Sequence, residues 1–375
     1  MRIGVNTRVM LKHRMEGVAR YTYETTKRMV LSHPEDDFVF FFDRDYDDDF
    51  LFADNVTGVI VTPQARHPLL WFTWFEISLP KALKKYKIDV FFSPDTYLSL
   101  GSDIPTLLTC HDLAYLHYPK HIPLLVRKYY QRYFPRFHKR ADHIMAVSQS
   151  TKDDIVAQYG IDENKITVAY NACAENFKPI NSIEKVNVRM KISDGKPYFI
   201  YIGSIHPRKN ILRLVEAFEQ FCQNEKKHQL VILGRWAWNN DVLASKLKRT
   251  KNRDRIKLID DMEGDISPYV AAAEALVYVS LFEGFGLPII EAMQSAVPVI
   301  ASDRGALKEV AGDAAILVDP VDVDAIANAM KVVIADDDLR DELIHKGETN
   351  VKMFSWDRTA AATYLQIANL YGDIP

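Results

Sequence analysis

The sequence predicts an α/β protein with two domains, each built on a parallel sheet. Short apolar runs rich in β-branched and aromatic residues alternate with longer helical patterns in both halves of the chain. This alternation is typical of parallel strands covered by helices on both faces. A length of 375 residues favours two domains, and a hydrophobic content of 48% is enough to fill two cores.

The composition excludes several classes of protein. A net charge of −3 gives no overall bias toward nucleic acid. The three cysteines, Cys110, Cys173 and Cys222, lack the spacing of a disulfide framework or a metal site, which fits a reducing compartment. The amino terminus runs directly into a predicted strand, and no run reaches 18 apolar residues. We therefore expect a cytoplasmic protein without a signal peptide, a membrane-spanning helix or a nucleic-acid partner.

The first half begins with a strand, a loop ending at Gly17 and a helix. Gly17 therefore lies at a strand-to-helix turn, where it would either let the backbone approach a ligand or act as a simple turn residue. His111 directly follows a buried strand, at the edge of a parallel sheet where ligands bind. A histidine there is either functional or a hydrogen-bonded loop residue. The predicted strands are 2–6, 38–43, 59–61, 89–93, 105–110, 143–147 and 166–170, and the helices are 18–31, 122–140 and 149–159.

Two stretches of this half combine aromatic and basic residues. In residues 71–87 the aromatic and lysine positions have helical spacing, which predicts an amphipathic surface helix. The predicted helix 122–140 is also rich in arginine, lysine and tyrosine. Such helices either bind anionic lipid or are half buried with their cations reaching solvent. Peripheral contact with the inner face of the cytoplasmic membrane through both stretches is therefore one expectation.

The second half repeats the alternation after a polar stretch at 179–196, which we interpret as an interdomain linker. Its predicted strands are 198–202, 229–234, 255–259, 275–280, 297–301 and 315–318, and its main helices are 211–221, 288–295, 321–335, 338–352 and 355–370. Loop 260–266 connects a strand to the following segment. The predicted domains are thus 1–178 and 197–354, with a final helix at 355–375.

Two loops of the second half carry the chemistry. Arg208 and Lys209 lie between a strand and a helix N-terminus, a combination that favours a diphosphate, although a solvated basic turn would look alike. The turn at Glu283 precedes a helix that carries Glu291 one turn inside. Both carboxylates could meet sugar hydroxyls. The plain alternative for Glu291 is an acid favoured by the helix dipole.

The motif Glu-Gly-Phe-Gly-Leu-Pro-Ile-Ile-Glu at 283–291 resembles the E-x7-E motif of retaining glycosyltransferases of the GT-B fold, family 4. The Gly17 loop, His111-Asp112 and Pro207-Arg208-Lys209-Asn210 resemble the other motifs of that family, in the same order. The resemblance implies two Rossmann-like domains facing across a cleft, with the C-terminal helix crossing back to the first domain. It also implies that no metal is needed, so the acidic loop 44–49 is expected to be a solvated loop.

The resemblance also implies roles for individual residues. Arg208 and Lys209 would stabilise the departing diphosphate, Glu291 would hold the ribose, and His111 would position the sugar or acceptor. Glu283 would hold the donor sugar rather than attack it, with the leaving phosphate accepting the acceptor proton. Ser204 stands where some relatives of that family have an arginine, so this sequence departs from their pattern there. The implied catalytic residues are Glu283, His111, Arg208 and Lys209; the implied donor-binding residues are Gly17, Gly203, Ser204, Arg208, Lys209, Glu283, Gly284, Phe285, Gly286, Leu287 and Glu291.

The donor and acceptor are inferred from the same resemblance. Residues 207–210 together with 309–315 look most like mannosyltransferases of polysaccharide and O-antigen assembly. We therefore expect GDP-mannose as donor and a glycan or lipid-linked saccharide as acceptor. The alternatives are a UDP- or dTDP-sugar donor, a sugar-nucleotide epimerase or phosphorylase of the same fold, and a non-catalytic partner subunit.

Overall fold

The computed structural model describes residues 1–12, 15, 17–236, 241–260 and 264–372. The chain divides into two compact units. The first unit contains Met1–Asn171 and Ser355–Pro375, and the second contains Ala172–Phe354. The prediction of two parallel-sheet domains is confirmed, since in each sheet all neighbouring strands run parallel. Parts of the predicted loops before Gly17 and at 260–266 lie outside the described residues.

The first unit is built on a seven-stranded sheet with the order β3-β2-β1-β4-β5-β6-β7. Its strands are almost entirely apolar because helices cover both faces, and Phe91 and Phe92 on neighbouring positions are both buried. The strands are β1 (Arg2–Asn6), β2 (Asp37–Phe42), β3 (Val56–Ile60), β4 (Val90–Ser93), β5 (Thr106–Cys110), β6 (His143–Ala146) and β7 (Ile166–Val168). The helices before the second unit are α1 (Val18–Ser32), α2 (Pro68–Thr73), α3 (Leu79–Lys85), α4 (Ala114–His117), α5 (Leu124–Arg140) and α6 (Gln149–Tyr159).

The second unit is built on a six-stranded sheet with the order β10-β9-β8-β11-β12-β13. The strands are β8 (Tyr198–Ile202), β9 (Gln229–Leu233), β10 (Ile256–Ile259), β11 (Ala275–Tyr278), β12 (Val299–Ser302) and β13 (Ile316–Val318). The helices are α7 (Ser182–Ser193), α8 (Ile211–Phe221), α9 (Asp241–Arg249), α10 (Ser267–Ala271), α11 (Leu287–Gln294), α12 (Gly305–Ala311), α13 (Val323–Ala335) and α14 (Asp337–Asn350).

The last helix, α15 (Trp356–Gly372), belongs to the first unit and packs along α1. Trp356 meets the ring of Tyr21 edge-on, with 6.1 Å between ring centroids. Asp357 accepts a hydrogen bond of 2.6 Å from Nε of Arg28. The Trp356–Tyr21 contact is buried, whereas Asp357 of the ion pair with Arg28 is exposed. The aromatic contact therefore contributes more to the attachment of α15 than the ion pair does.

The interpretation of 179–196 as a linker is wrong. Residues 182–193 form α7, which is part of the second unit. Asn181 and Glu184 close a capping box that satisfies two backbone N–H groups at its start. Arg189 then fixes the helix to the unit, with 2.6 Å between its Nη2 and Oε1 of Glu274. The boundary between the units falls at Asn171 rather than at 178.

The amphipathic helix predicted at 71–87 is present, but a π-helical turn divides it. The segment consists of α2, a π-helical turn at Trp74–Ser78 and α3. Pro80 has no N–H for the regular i→i−4 hydrogen bond, and its ring crowds the preceding turn, which favours the wider π geometry there. Trp74 and Phe75 in this turn are fully buried. Among the described residues, no helix is long and apolar enough to cross a membrane.

Candidate functional site

The candidate site of the second unit lies where the strand order reverses. In its sheet, β8 has β9 on one side and β11 on the other, so the loops that follow β8 and β11 leave the sheet in opposite directions. Open α/β sheets bind ligands at the carboxyl ends of strands at such a point. The loop after β8 contains Gly203 to Asn210, and the loop after β11 contains Glu283 to Gly286.

Two glycines let the loops after β8 and β9 approach each other closely. Gly203 has a φ of +133° and Gly234 has a φ of +156°. A Cβ on Gly234 would lie 1.8 Å from the carbonyl oxygen of Gly203, and this backbone atom cannot move aside as a flexible side chain could. Side chains are therefore excluded from Gly234. Ser204, next to this contact, is exposed.

A short 3₁₀ turn presents the two cations of the β8 loop. His206 caps the turn Pro207–Lys209, its Nδ1 accepting a hydrogen bond of 3.2 Å from the backbone N–H of Arg208. Asn210 follows in the left-handed conformation with φ 61°. Its buried side-chain amide donates to the carbonyls of Val279, at 2.9 Å, and Pro320, at 2.6 Å. Asn210 thereby ties the cationic turn to the loops that follow β11 and β13.

The structure brings Glu283 together with both predicted cations. Its Oε2 lies 3.0 Å from Nη1 of Arg208, and its Oε1 lies 2.7 Å from Nζ of Lys209. All three side chains are largely buried, with 9% of Glu283, 17% of Arg208 and 13% of Lys209 exposed. Arg208 also donates to the backbone carbonyl of Phe282. The acid expected at the sugar and the cations expected at the diphosphate therefore form one cluster.

The cluster keeps Glu283 ionised. Burial raises the pKa of the Glu283 carboxyl, but the positive charges of Arg208 and Lys209 and the hydrogen bond from Lys209 outweigh burial and lower the pKa to about 2. At neutral pH this carboxylate therefore accepts hydrogen bonds and has no proton to donate.

Tyr278 is a member of the cluster that the sequence analysis missed. Its hydroxyl accepts a hydrogen bond of 3.0 Å from Nζ of Lys209 and donates one of 3.3 Å to Oε1 of Glu283. Its ring stacks on Tyr201 of β8, with 5.8 Å between centroids. Burial raises the pKa of Tyr278 well above its usual value, so the hydroxyl stays protonated. A tyrosine at the carboxyl end of an otherwise aliphatic strand was the signal available in the sequence.

The loop after Glu283 leads into α11 through a glycine that packing requires. Gly286 has a φ of +112°, and a Cβ there would lie 2.6 Å from a methyl group of Leu307. Leu287 and Pro288 begin α11, and Glu291 follows one turn later, half buried. Gly284 and Phe285 are buried.

The side chain of Phe285 packs inside the second unit. Its ring meets Phe354 edge-on, with 5.6 Å between centroids. This leaves only its backbone for the donor contact that the resemblance implies.

Gly17 and His111 belong to the first unit, where a tyrosine links them. Gly17 precedes α1 with a φ of 51°, and a Cβ there would meet open space. Tyr21, one turn into α1, donates its backbone N–H to the Gly17 carbonyl at 2.9 Å. The Tyr21 ring meets His111 edge-on at 5.0 Å. The helix that begins at Gly17 therefore packs on His111 at the carboxyl end of β5.

The hydrogen bonding of His111 fixes which ring nitrogen carries the proton. Nε2 lies 2.7 Å from the carbonyl oxygen of Pro94, and a carbonyl only accepts, so Nε2 is protonated. Burial lowers the pKa of His111, against the opposing effect of that hydrogen bond and of nearby acids, so the ring is neutral. Nδ1 then carries a lone pair that can accept a hydrogen bond from a hydroxyl group.

An ion pair that the sequence analysis missed holds the loop beside His111. Nη2 of Arg8, after β1, lies 2.7 Å from Oδ2 of Asp95, after β4, with 12% and 3% of the two side chains exposed. Asn6 donates a hydrogen bond of 2.7 Å to the same carboxylate. Thr96 has a φ of 71°, which is strained for a β-branched residue. These contacts fix the segment that carries the Pro94 carbonyl.

One group of potential metal ligands lies elsewhere in the first unit. Ligand atoms of His33, Glu35 and Asp36 lie within 4.8 Å of one another. Asp36 already pairs with the amino terminus at 2.7 Å and accepts a hydrogen bond of 2.6 Å from Tyr364. His33 stacks on the Tyr364 ring at 3.3 Å. This group joins the chain start to α15 and is remote in sequence from every predicted site residue.

Two families match successive parts of the chain. The family described as Glycosyltransferase Family 4 matches residues 15–175, and the family described as Glycosyl transferases group 1 matches residues 182–350. O-antigen chain mannosyltransferase B of Escherichia coli is 28% identical over 367 residues, covering 94% of this chain and 96% of the relative. O-antigen chain mannosyltransferase RfbU of Salmonella typhimurium is 27% identical over 284 residues, covering 74% of each chain.

Solved structures share the fold at low sequence identity. WaaG, a glycosyltransferase involved in lipopolysaccharide biosynthesis, superposes with a TM-score of 0.76 at 13% identity, over 97% of this chain and 99% of that one. HepE of Anabaena in complex with UDP-glucose superposes with a TM-score of 0.75 at 17% identity, over the whole of both chains.

Proposed function

Since this chain belongs to glycosyltransferase family 4 and has the GT-B fold, we propose that it transfers a mannose from GDP-mannose to a hydroxyl group of a glycan or lipid-linked saccharide, with retention of anomeric configuration, in the assembly of a cell-surface polysaccharide. The observation that carries the proposal is the buried cluster of Glu283, Arg208 and Lys209 at the switch point of the second sheet.

The two cations of the cluster suit a departing diphosphate. Arg208 and Lys209 lie at the carboxyl end of β8, immediately before α8, whose first N–H groups also attract phosphate. As the bond between sugar and diphosphate breaks, negative charge grows on the diphosphate, and two fixed cations in a largely buried site stabilise it. Two positive charges supply the neutralisation that a divalent ion provides elsewhere, so the proposed reaction uses no metal.

Glu283 suits a role at the transferred sugar. Without donor its carboxylate neutralises both cations, and with donor the diphosphate takes over part of that pairing. The released carboxylate oxygens then accept hydrogen bonds from sugar hydroxyls. Because the oxygens of Glu283 accept hydrogen bonds from the sugar in this arrangement, the proposed reaction is a front-face one, in which the leaving phosphate accepts the acceptor proton.

The remaining residues complete the proposed site. Glu291 on α11 holds the ribose hydroxyls of the donor, and the backbone of residues 284–287 with the N-terminus of α11 assists at the phosphates. Backbone of Gly203 and Ser204 lines the donor in the second unit, because these positions carry little or no side chain. His111, neutral with Nδ1 as acceptor, positions a hydroxyl of the sugar or acceptor.

GDP-mannose is proposed because the O-antigen relatives are named mannosyltransferases. The structural neighbour HepE binds UDP-glucose, so a UDP-sugar is the alternative donor. Another relative, from Campylobacter jejuni and 25% identical over 57% of this chain, is named for transfer to a sugar on diphospho-undecaprenol, which supports a lipid-linked acceptor.

Thermal-shift titration with GDP, UDP, dTDP and their sugar conjugates tests the donor site. We expect stabilisation by GDP and GDP-mannose, and loss of that shift in Arg208→Ala. The matched control is Lys257→Ala, which removes a half-buried cation that pairs with Asp194 at 2.8 Å in the same unit. Stabilisation by UDP-sugars alone would show that the donor is a UDP-sugar and not GDP-mannose. No shift with any nucleotide, in a protein that is folded, would favour a non-catalytic subunit.

Product analysis tests the reaction type. Incubation with GDP-mannose and a saccharide acceptor, followed by NMR of the new glycosidic bond, is expected to show the donor's anomeric configuration. Release of an isomeric sugar nucleotide, or a requirement for inorganic phosphate, would instead indicate an epimerase or a phosphorylase. Inversion at the anomeric carbon would overturn the front-face mechanism.

A further inference from the structure

Two helices of the first unit expose large apolar side chains on one face. On α2, Leu69 is 73% exposed and Phe72 is 41% exposed; on α5, Leu124 is 54% and Leu125 is 62% exposed. Leu70 of α2 is exposed to a smaller degree. We call Leu69, Leu70, Phe72, Leu124 and Leu125 the α2–α5 face. A group of this size is unusual on a surface in contact only with water.

Contacts between the two helices show that these side chains adjoin. Trp71 of α2 packs on Tyr129 of α5 at 5.2 Å between ring centroids, and Phe72 lies 6.2 Å from Tyr133. On α5, Leu125 is one turn before Tyr129, so it extends the same side of the helix beyond the buried contact. On α2, Leu69 and Phe72 are three positions apart and share a side.

A row of exposed cations borders the apolar face. Lys128, Arg132 and Arg136 follow Leu124 at intervals of four along α5, and all three are exposed. Residues 119–140 contain no aspartate or glutamate, although the whole chain has a net charge of −3. The α3 segment, which continues from α2, adds the exposed Lys81, Lys84 and Lys85. The positive charge is thus concentrated around one apolar surface of an otherwise acidic protein.

We propose that the α2–α5 face binds a membrane surface that contains anionic lipid. Leu69, Leu125 and their apolar neighbours would enter the boundary between headgroups and acyl chains, and the cations would bind lipid phosphates. A long cation beside an exposed leucine favours this occupant, because its stem stays in the apolar layer while its charged end reaches the headgroups. A protein partner would need acidic groups spaced to match each cation, whereas a fluid anionic surface adapts to all of them.

Vesicle co-sedimentation of the full-length protein tests the proposal without donor or acceptor. The probes are vesicles of pure phosphatidylcholine and vesicles of phosphatidylcholine mixed with phosphatidylglycerol. We expect binding to the anionic vesicles, weak binding to the neutral ones, and release as salt is raised. No binding to either, or equal binding to both, overturns the proposal.

Substitutions locate the binding surface. Leu124→Ser with Leu125→Ser is expected to weaken binding to anionic vesicles about tenfold, since both side chains leave the apolar layer. Lys128→Gln, Arg132→Gln and Arg136→Gln together are expected to weaken it about a hundredfold, at roughly fivefold for each charge. All five positions are exposed, so the variants remain folded.

The matched control uses another exposed apolar row. On α7 of the second unit, Ile183 is 72% and Val186 is 58% exposed, similar to the two leucines of α5. Ile183→Ser with Val186→Ser is expected to leave vesicle binding unchanged. Equal loss in this control and in the leucine variant would overturn the assignment of the surface.

The proposal goes beyond the transferase function and can fail separately from it. Nucleotide-induced stabilisation in solution reports the donor site, and vesicle binding reports the α2–α5 face. A leucine variant that keeps the nucleotide shift but loses vesicle binding supports the membrane contact alone. Loss of the nucleotide shift in Arg208→Ala with vesicle binding intact supports the donor site alone.

Discussion

Oε1 of Glu283 lies 2.7 Å from Nζ of Lys209, so an acid from the β11 loop neutralises a cation from the β8 loop. Arg208 contributes a second positive charge at 3.0 Å. A donor diphosphate would compete with this carboxylate for the same two cations. Without donor, the carboxylate of Glu283 therefore occupies the two cations that a diphosphate would bind. The predictions on Glu283 follow from that competition.

Replacing Glu283 by glutamine is expected to tighten binding of the product nucleotide. Removing the carboxylate abolishes a repulsion with the diphosphate of the order of 1–3 kcal/mol at short range in a partly buried site. GDP should then bind about tenfold more tightly or better, while turnover of GDP-mannose falls because the sugar loses a charged acceptor. Calorimetry with GDP and a transfer assay measure both effects.

The control for this experiment is Glu274→Gln, which removes a carboxylate paired with Arg189 at 2.6 Å in the same unit. It should leave GDP affinity and turnover unchanged. If Glu283→Gln bound GDP no more tightly than the unaltered protein, the competition between carboxylate and diphosphate would be refuted. Circular dichroism of both variants verifies that each is folded.

The stability of the second unit is expected to fall in acid through Glu283. Its pKa is about 2 in the folded protein against an ordinary value of 4.5, so the unfolded chain binds the proton more readily. The carboxylate therefore stabilises the fold above pH 4.5, and that contribution, of the order of 3 kcal/mol, is lost as pH falls from about 4.5 toward 2.

Chemical denaturation at a series of pH values measures this loss. Glu283→Gln should show a smaller fall in unfolding free energy over the same pH range, because it has no carboxylate to protonate. Parallel curves for the two proteins would mean that other acids account for the acid sensitivity. Glu225, whose pKa is also lowered to about 2, provides the background slope common to both proteins.

Gly234→Ala is expected to destabilise the second unit strongly. Its Cβ would lie 1.8 Å from the Gly203 carbonyl oxygen, so the loops after β8 and β9 would have to separate. We expect a cost of about 3 kcal/mol or more, with loss of nucleotide binding. Gly160→Ala is the control, since its φ of 63° is strained but nothing lies within 4 Å, and it should cost only about 1–2 kcal/mol. Similar costs would refute the steric argument.

Asp95→Ala is expected to destabilise the first unit by about 3–5 kcal/mol, because it leaves the buried guanidinium of Arg8 without its ion pair. Asp37→Ala removes the partner of Arg2 at a similar distance of 2.9 Å, but 43% and 61% of those side chains are exposed. That control should cost less than about 1 kcal/mol. Urea denaturation compares the two, and NMR of the His111 ring shows whether its tautomer changes with Asp95.

Much of the fold was predictable because local signals agreed with tertiary packing. The strand at Tyr198–Ile202 and the helices at Gln149–Tyr159 and Ile211–Phe221 have the predicted bounds. Ser148 caps the helix at Gln149–Tyr159, accepting a hydrogen bond of 3.0 Å from the Thr151 backbone N–H. The linker was predicted wrongly because polarity was given more weight than the capping box at Asn181 and Glu184, which the sequence contains.

Part of the cluster could be proposed from the sequence, but Tyr278 and the contacts among the members could not. Arg208 and Lys209 on one side and Glu283 on the other were recognised from the loops that carry them. Their direct pairing depends on β8 and β11 being neighbours, which no local pattern specifies. The Arg8–Asp95 pair was missed for the same reason, since β1 and β4 adjoin only in the folded sheet. Roles of single residues at the donor stay predictions.

The last helix has a consequence for how the protein is made. Because α15 completes the first unit and the second unit lies between the two parts of the first, the chain passes from one unit to the other twice. The second unit is one continuous segment and can finish folding on the ribosome, whereas the first must wait for the final residues to emerge. A chain that ends at Phe354 would therefore contain the whole second unit. The first unit, although most of it is synthesised first, would lack α15 and would be destabilised. A fusion tag that hinders the packing of α15 on α1 should therefore lower the yield of folded protein.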